Sequence, residues 1–103
     1  MAKKLVQFGA GNIGRSFIGQ LFSRSGWEVV FIDINETLVE ALNQKRRYRV
    51  IIKRNNVPDE QLWIERVRAV NGQDKEKVAE EISSANLVST SVGKSALPHI
   101  LPL

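Results

Sequence analysis

The chain has 103 residues, 43% of them apolar and 25% charged, with a formal net charge of +4. That length admits one domain at most, and that balance is the composition of an ordinary soluble globular protein. The lack of cysteine excludes disulfides and thiolate metal sites, and there is no apolar run of about 18 residues and no signal-peptide core, so a cytoplasmic protein without a membrane span is the simplest reading.

Lys4 to Phe8 reads as a short strand, with Leu5, Val6 and Phe8 apolar and glycine following at once. The segment Gly9-Ala10-Gly11-Asn12-Ile13-Gly14 is a turn. Gly14, Phe17, Ile18, Leu21 and Phe22 then share one helical face, and Gly26 stands where a left-handed residue ends a helix. Glu28 to Ile34 is a second strand; its near-continuous run Val29-Val30-Phe31-Ile32 suits a parallel strand buried on both faces. Strand, helix and strand within about 30 residues make a βαβ unit.

Asn35 caps a second helix with Glu36 in its first turn and Leu38, Ala41 and Leu42 as its apolar stripe. Tyr48 to Lys53 reads as a strand, Asn55 to Asp59 as a turn, and Gln61 to Val70 as one bent strand or two short ones. Tyr48–Lys53 and Leu62–Arg66 are expected to pair as a hairpin. Asp74 caps a third helix with Val78, Ile82 and Ala79 as inner positions and a Lys77–Glu81 pair on its wet side. Leu87 to Val92 is a further strand closed by Gly93, and Leu97, Ile100 and Leu101 open another amphipathic segment. The expected fold is α/β: a Rossmann-type parallel sheet flanked by helices, truncated, over residues 1–103. The chain stops partway through the pattern, as an excised piece would. Strands missing from such a sheet would leave apolar faces bare, which self-association could cover.

The G-x-G-x-x-G spacing of Gly9, Gly11 and Gly14 is weak alone, but here a strand precedes it, a helix follows and an acid lies downstream. Gly9 allows the tight turn, Gly11 lets the backbone approach a pyrophosphate, and Gly14 lets the helix pack closely on the sheet. Ala10, Asn12 and Ile13 lie among the amides at the helix start, where N–H groups and a partial positive charge meet phosphates. Asp33 stands at the about 20-residue offset of an acid that bonds the adenosine ribose. Ile34 and Asn35 flank it. A carboxylate there accepts from the 2′-hydroxyl and repels a 2′-phosphate, and no arginine follows at once, so the expected cofactor is NAD rather than NADP. Ser91 and Val92, at the carboxyl end of the last strand, border the same site.

Lys45, Arg46, Arg47 and Arg49, with Lys53 and Arg54 nearby, are the densest basic cluster. One interleaved aromatic, Tyr48, does not make a nucleic-acid motif, and a solvated or docking face is the preferred reading. His99 stands alone, Trp27 and Trp63 read as core or interface residues, and no metal-ligand spacing or nucleophilic triad is present.

Phe8-Gly9-Ala10-Gly11-Asn12-Ile13-Gly14-Arg15-Ser16-Phe17-Ile18-Gly19 closely resembles the opening of the mannitol-1-phosphate 5-dehydrogenases, within the polyol-specific long-chain dehydrogenase family. Phe31-Ile32-Asp33-Ile34-Asn35, Tyr48-Arg49-Val50 and Ala85-Asn86-Leu87-Val88-Ser89-Thr90-Ser91-Val92-Gly93 follow the family pattern in order, so the resemblance runs the length of the chain. Gln7, Ser16 and Lys94 depart from its usual histidine, glycine and proline. The resemblance implies an NAD-dependent oxidoreductase that interconverts a sugar alcohol, mannitol or its 1-phosphate, with the matching ketose. The family's catalytic lysine, asparagine and histidine lie in a C-terminal domain absent from these residues, so no catalytic residue carries over and the chain alone is expected to be inactive. The polyol or polyol phosphate would meet it through that second domain. The same glycines and acid would also serve a non-catalytic nucleotide sensor, and a methyltransferase-like fold binding S-adenosylmethionine is a third reading, which the full glycine spacing disfavours.

Overall fold

Val29, Val30, Phe31 and Ile32 are consecutive and all buried, as a strand covered on both faces requires. They lie in β2 (Glu28–Asp33), which pairs in parallel with β1 (Lys4–Phe8) on one side. The computed structural model describes residues 3–11, 14–53 and 55–91. β5 (Val67–Asn71) pairs with the other side of β2, and β6 (Leu87–Thr90) with the other side of β1, giving a parallel sheet ordered β5-β2-β1-β6.

Helices cover both faces. On one face α3 (Lys75–Ser83) lays Val78 and Ile82 on Val6, Phe8, Val30, Ile32 and Val70. On the other, α2 (Glu36–Lys45) and the first helix close over Leu5, Val29, Phe31, Val67 and Ala69. The two side-chain sets alternate along each strand, as the pleat demands. Among the described residues no helix is long and apolar enough to cross a membrane.

The first helix opens as a π-helix over Gly14–Gly19 and continues as α1 (Gln20–Arg24). Ile18 and Phe22 pack on the core as expected, but Leu21 is exposed. A π turn advances less per residue than an α turn, so the i+7 position rotates off the buried face. The side chain of Phe17 lies outside the described residues. Gly26 takes the left-handed conformation at φ 86° and ends the helix.

β3 (Arg47–Ile52) and β4 (Glu60–Glu65) form the expected antiparallel hairpin, with Val50 opposite Leu62. Gln61–Val70 is two strands, broken at Arg66, whose φ is 61°. The left-handed residue turns the chain out of the hairpin and into the main sheet. The hairpin buries Val50 and Ile64 on the α2 face and points Arg47, Arg49 and Trp63 outward. Trp63 is therefore not core: it is 53% exposed and carries the Arg47 guanidinium over its ring. Trp27 is half-buried, edge-on to Phe22.

Two polar devices finish the sheet. Asn43 on α2 donates from Nδ2 to the Ala69 carbonyl at 2.8 Å and accepts from the Ala69 N–H at 2.8 Å, so its amide completes the outer edge of β5 as a neighbouring strand would. On the α3 face, Glu81 binds Lys4 Nζ at 2.7 Å and Arg68 at Nη2, 2.8 Å, with a further close contact to Nη1. This corrects the expected Lys77–Glu81 pair. Glu81 lies three residues after Val78, on the side of α3 that meets the sheet, while Lys77 stays exposed beside Asp74 at 3.9 Å. Ala79 is likewise exposed rather than inner. At the edge of β6, Leu87 and Val88 remain exposed.

Candidate functional site

From β1 the chain runs to β2 and β5 on one side, then returns to place β6 on the other. The order reverses at β1, and in open α/β sheets ligands sit in the crevice beyond the carboxyl ends of the strands at such a point. The glycine turn leaves β1 at that rim.

Gly9 has φ 98°, a left-handed conformation that a side chain would strain, and its N–H donates to the Ile32 carbonyl at 2.8 Å. The turn is thereby held to β2 at its first residue. Ala10 is buried, and its N–H donates to Asp33 Oδ2 at 2.9 Å. The other carboxylate oxygen, Oδ1, accepts from the Asn35 N–H at 2.9 Å. Asp33 thus joins the glycine turn to the loop that starts α2. Asn35 caps that helix as its composition suggests, its Oδ1 accepting from the Leu38 N–H at 3.1 Å.

Gly11 is exposed, and a Cβ built on it would meet no atom of the described residues within 4 Å, its chain neighbours aside. Its carbonyl accepts from the Arg15 N–H at 2.9 Å, tying the turn to the start of the helix at Gly14. Asn12, Ile13 and Val92 lie outside the described residues, as do Gly93, Lys94, His99 and the segment from Leu97. Ile34 is 71% exposed beside Asp33. Ser91 follows β6, its N–H donating to the Phe8 carbonyl at 2.9 Å.

Gln7 is the residue the sequence pattern did not assign a role. It is fully buried, and its Nε2 donates to Ser91 Oγ at 2.8 Å and to the Phe8 carbonyl at 3.1 Å. The amide therefore braces the carboxyl ends of β1 and β6 across the switch point, while its Oε1 is buried without a partner among the described residues. The available signal was a lone amide inside the apolar run Leu5-Val6-Gln7-Phe8, because a buried polar group is normally there for its hydrogen bonds.

The structure thus brings Gly9, Ala10, Asp33 and Asn35 into one hydrogen-bonded rim and sets Ser91 at the neighbouring strand end. Among the described residues no group of His, Asp or Glu could hold a metal ion.

The family model described as "Mannitol dehydrogenase Rossmann domain" matches residues 3–103. A mannitol-1-phosphate 5-dehydrogenase of Geobacillus stearothermophilus is 55% identical over 98 residues, which are 94% of this chain and 24% of that protein. The protein of the same name from Brevibacillus brevis is 52% identical over 95 residues, 92% of this chain and 24% of its own length. That from Enterococcus faecalis is 39% identical over 99 residues, 95% of this chain and 25% of its own. The chain spans about a quarter of the length of these curated relatives.

Proposed function

The chain belongs to the mannitol dehydrogenase Rossmann-domain family, and on that premise we propose that it is the NAD-binding part of an oxidoreductase interconverting mannitol 1-phosphate and the matching ketose phosphate. Bound NAD would supply the hydride acceptor at the nicotinamide ring; the chain's own residues bind and orient it.

Gly11 carries this reading. Its φ is not positive and, its chain neighbours aside, none of the described residues crowds it, so neither backbone conformation nor packing among them demands glycine there. The open space beside Gly11 is what a diphosphate needs to approach the amides that the sequence motif supplies from Gly11 to Gly14. Asp33 fits the ribose. Each of its oxygens accepts one backbone N–H and keeps a second acceptor direction for a hydroxyl. Both backbone bonds fix the carboxylate before a ligand arrives. A 2′-phosphate would meet this negative charge, with Glu36 and Glu40 close behind it in the sequence and no cation before Lys45, which favours NAD over NADP. Gly9 and Ala10 shape the turn, Ile34 and Asn35 border the ribose, and Ser91 and Val92 border the nicotinamide side. The polyol phosphate and the groups that act on it would be held by sequence beyond this quarter of the enzyme.

Titration of the chain with NAD and NADP, followed by tryptophan fluorescence and calorimetry, tests the reading. NAD is expected to bind at one site, at least tenfold tighter than NADP. No NAD binding at millimolar concentration, or equal affinity for the two, would overturn it. S-adenosylmethionine in a third titration should not compete.

A further inference from the structure

We propose that the cleft between α2, the start of the first helix and the β3–β4 hairpin is a second anion site, taking a compact ligand that carries two or more phosphate groups.

The cleft has a volume of about 680 Å³, within the range of small-molecule sites. Four cations line it, Arg15, Lys45, Arg47 and Arg49, against an apolar wall that includes Leu38 and Leu42. Among the described residues no carboxylate lines it and none of the four cations is paired with an acid. Cations left unneutralised in one concavity focus a positive potential on its interior. The chain spends its acids elsewhere: Glu81 takes Lys4 and Arg68 on the opposite face of the sheet.

Three of the four cations are arginines, whose planar forks match phosphate oxygens two at a time. Their placement is partly fixed before any ligand arrives. Arg47 stacks over Trp63 with its guanidinium carbon 4.4 Å from the ring centroid, and Arg49 stands opposite Trp63 across the hairpin. Tyr48 donates its hydroxyl to the Arg15 carbonyl at 2.6 Å, pinning the helix start to the hairpin.

A single-stranded nucleic acid fits less well. Binding of that kind needs a row of free aromatic faces, whereas Arg47 covers a face of Trp63 and Tyr48 is half-buried with its hydroxyl engaged. The cleft lies beside the glycine turn without being lined by its described residues. Arg15 and Leu38 stand at its near end, its α2 wall extends on to Lys45, and among the described residues none of its lining belongs to Gly9–Gly11.

The test is calorimetric titration of the 103-residue chain with inorganic tripolyphosphate at physiological salt, with and without saturating NAD. One site is expected, filled equally well in both conditions. The Lys45→Gln/Arg49→Gln double variant should bind at least tenfold more weakly with an unchanged melting temperature. A Lys53→Gln/Lys75→Gln variant, which loses the same charge outside the cleft, should bind as the parent does. Absence of binding, equal weakening in both double variants, or displacement by NAD would overturn the proposal. So would tighter binding of a single-stranded oligonucleotide or of an acidic peptide at the same salt concentration.

Discussion

The carboxylate of Asp33 receives the backbone N–H of Ala10 at 2.9 Å, across 23 residues of sequence. One side chain therefore fixes the glycine turn and faces the position proposed for the ribose. Asp33→Ala is expected to weaken NAD binding at least tenfold and, by leaving a buried N–H unpaired, to cost roughly 1–3 kcal/mol of stability. Asp33→Asn keeps an acceptor for Ala10 but turns its NH2 toward the Asn35 N–H, so it should recover only part of that stability, while losing the preference for NAD over NADP. Urea melts and paired cofactor titrations separate the two effects. A variant that lost stability but kept full NAD affinity would leave Asp33 only its structural role.

Gly11→Ala separates binding from folding in the opposite sense. Its chain neighbours aside, the new Cβ would touch no atom of the described residues within 4 Å, and φ there is not positive. The melting temperature should hold or rise slightly, since removing a glycine at a compatible position stabilises by about 0.4–1 kcal/mol through the unfolded chain. NAD affinity should fall, because the methyl occupies the diphosphate's approach. Calorimetry on the folded variant reads this directly. Gly9→Ala, at φ 98°, should instead destabilise the chain itself.

Glu81 makes acid stability a prediction. The hydrogen bond from Arg68, helped by Lys4 and opposed by burial, holds its carboxyl down to about 2 from an ordinary 4.5. A carboxylate with a lowered folded-state value stabilises above its unfolded value, and that contribution drains away as pH falls from about 4.5 toward 2. Stability measured by urea midpoint should drop across that window. Glu81→Gln should cost roughly 2 kcal/mol at pH 7, by the loss of charged hydrogen bonds at a partly buried site, and should flatten the acid slope. An unchanged slope in the variant would place the acid sensitivity in another group.

Asn43 guards the sheet edge. Asn43→Ala leaves the N–H and C=O of Ala69 without their paired amide, and roughly 1–3 kcal/mol should be lost, visible as a lower urea midpoint at unchanged slope. Asn43→Asp can still accept from the Ala69 N–H but turns a second oxygen toward its carbonyl, so it should fall at or below the alanine variant.

The sequence by itself determined the elements and the rim. An unbroken apolar run such as Val29–Ile32 can be buried on both faces in only a few ways, and a glycine triplet between strand and helix with an acid about 20 residues on constrains the turn, because each residue there answers a local steric or hydrogen-bonding demand. The hairpin pairing and the Asn35 and Asp74 caps were legible for the same reason. Tertiary structure alone decided what depends on distant partners. It turned Glu81 inward to Lys4 and Arg68, gave Gln7 its brace to Ser91, set Asn43 against Ala69 and left Trp63 outside under Arg47. It also gathered Arg15 into one cleft with Lys45, Arg47 and Arg49, about 30 residues away along the chain. Local periodicity cannot reveal such meetings, because the face a side chain takes is fixed by the element that packs against it.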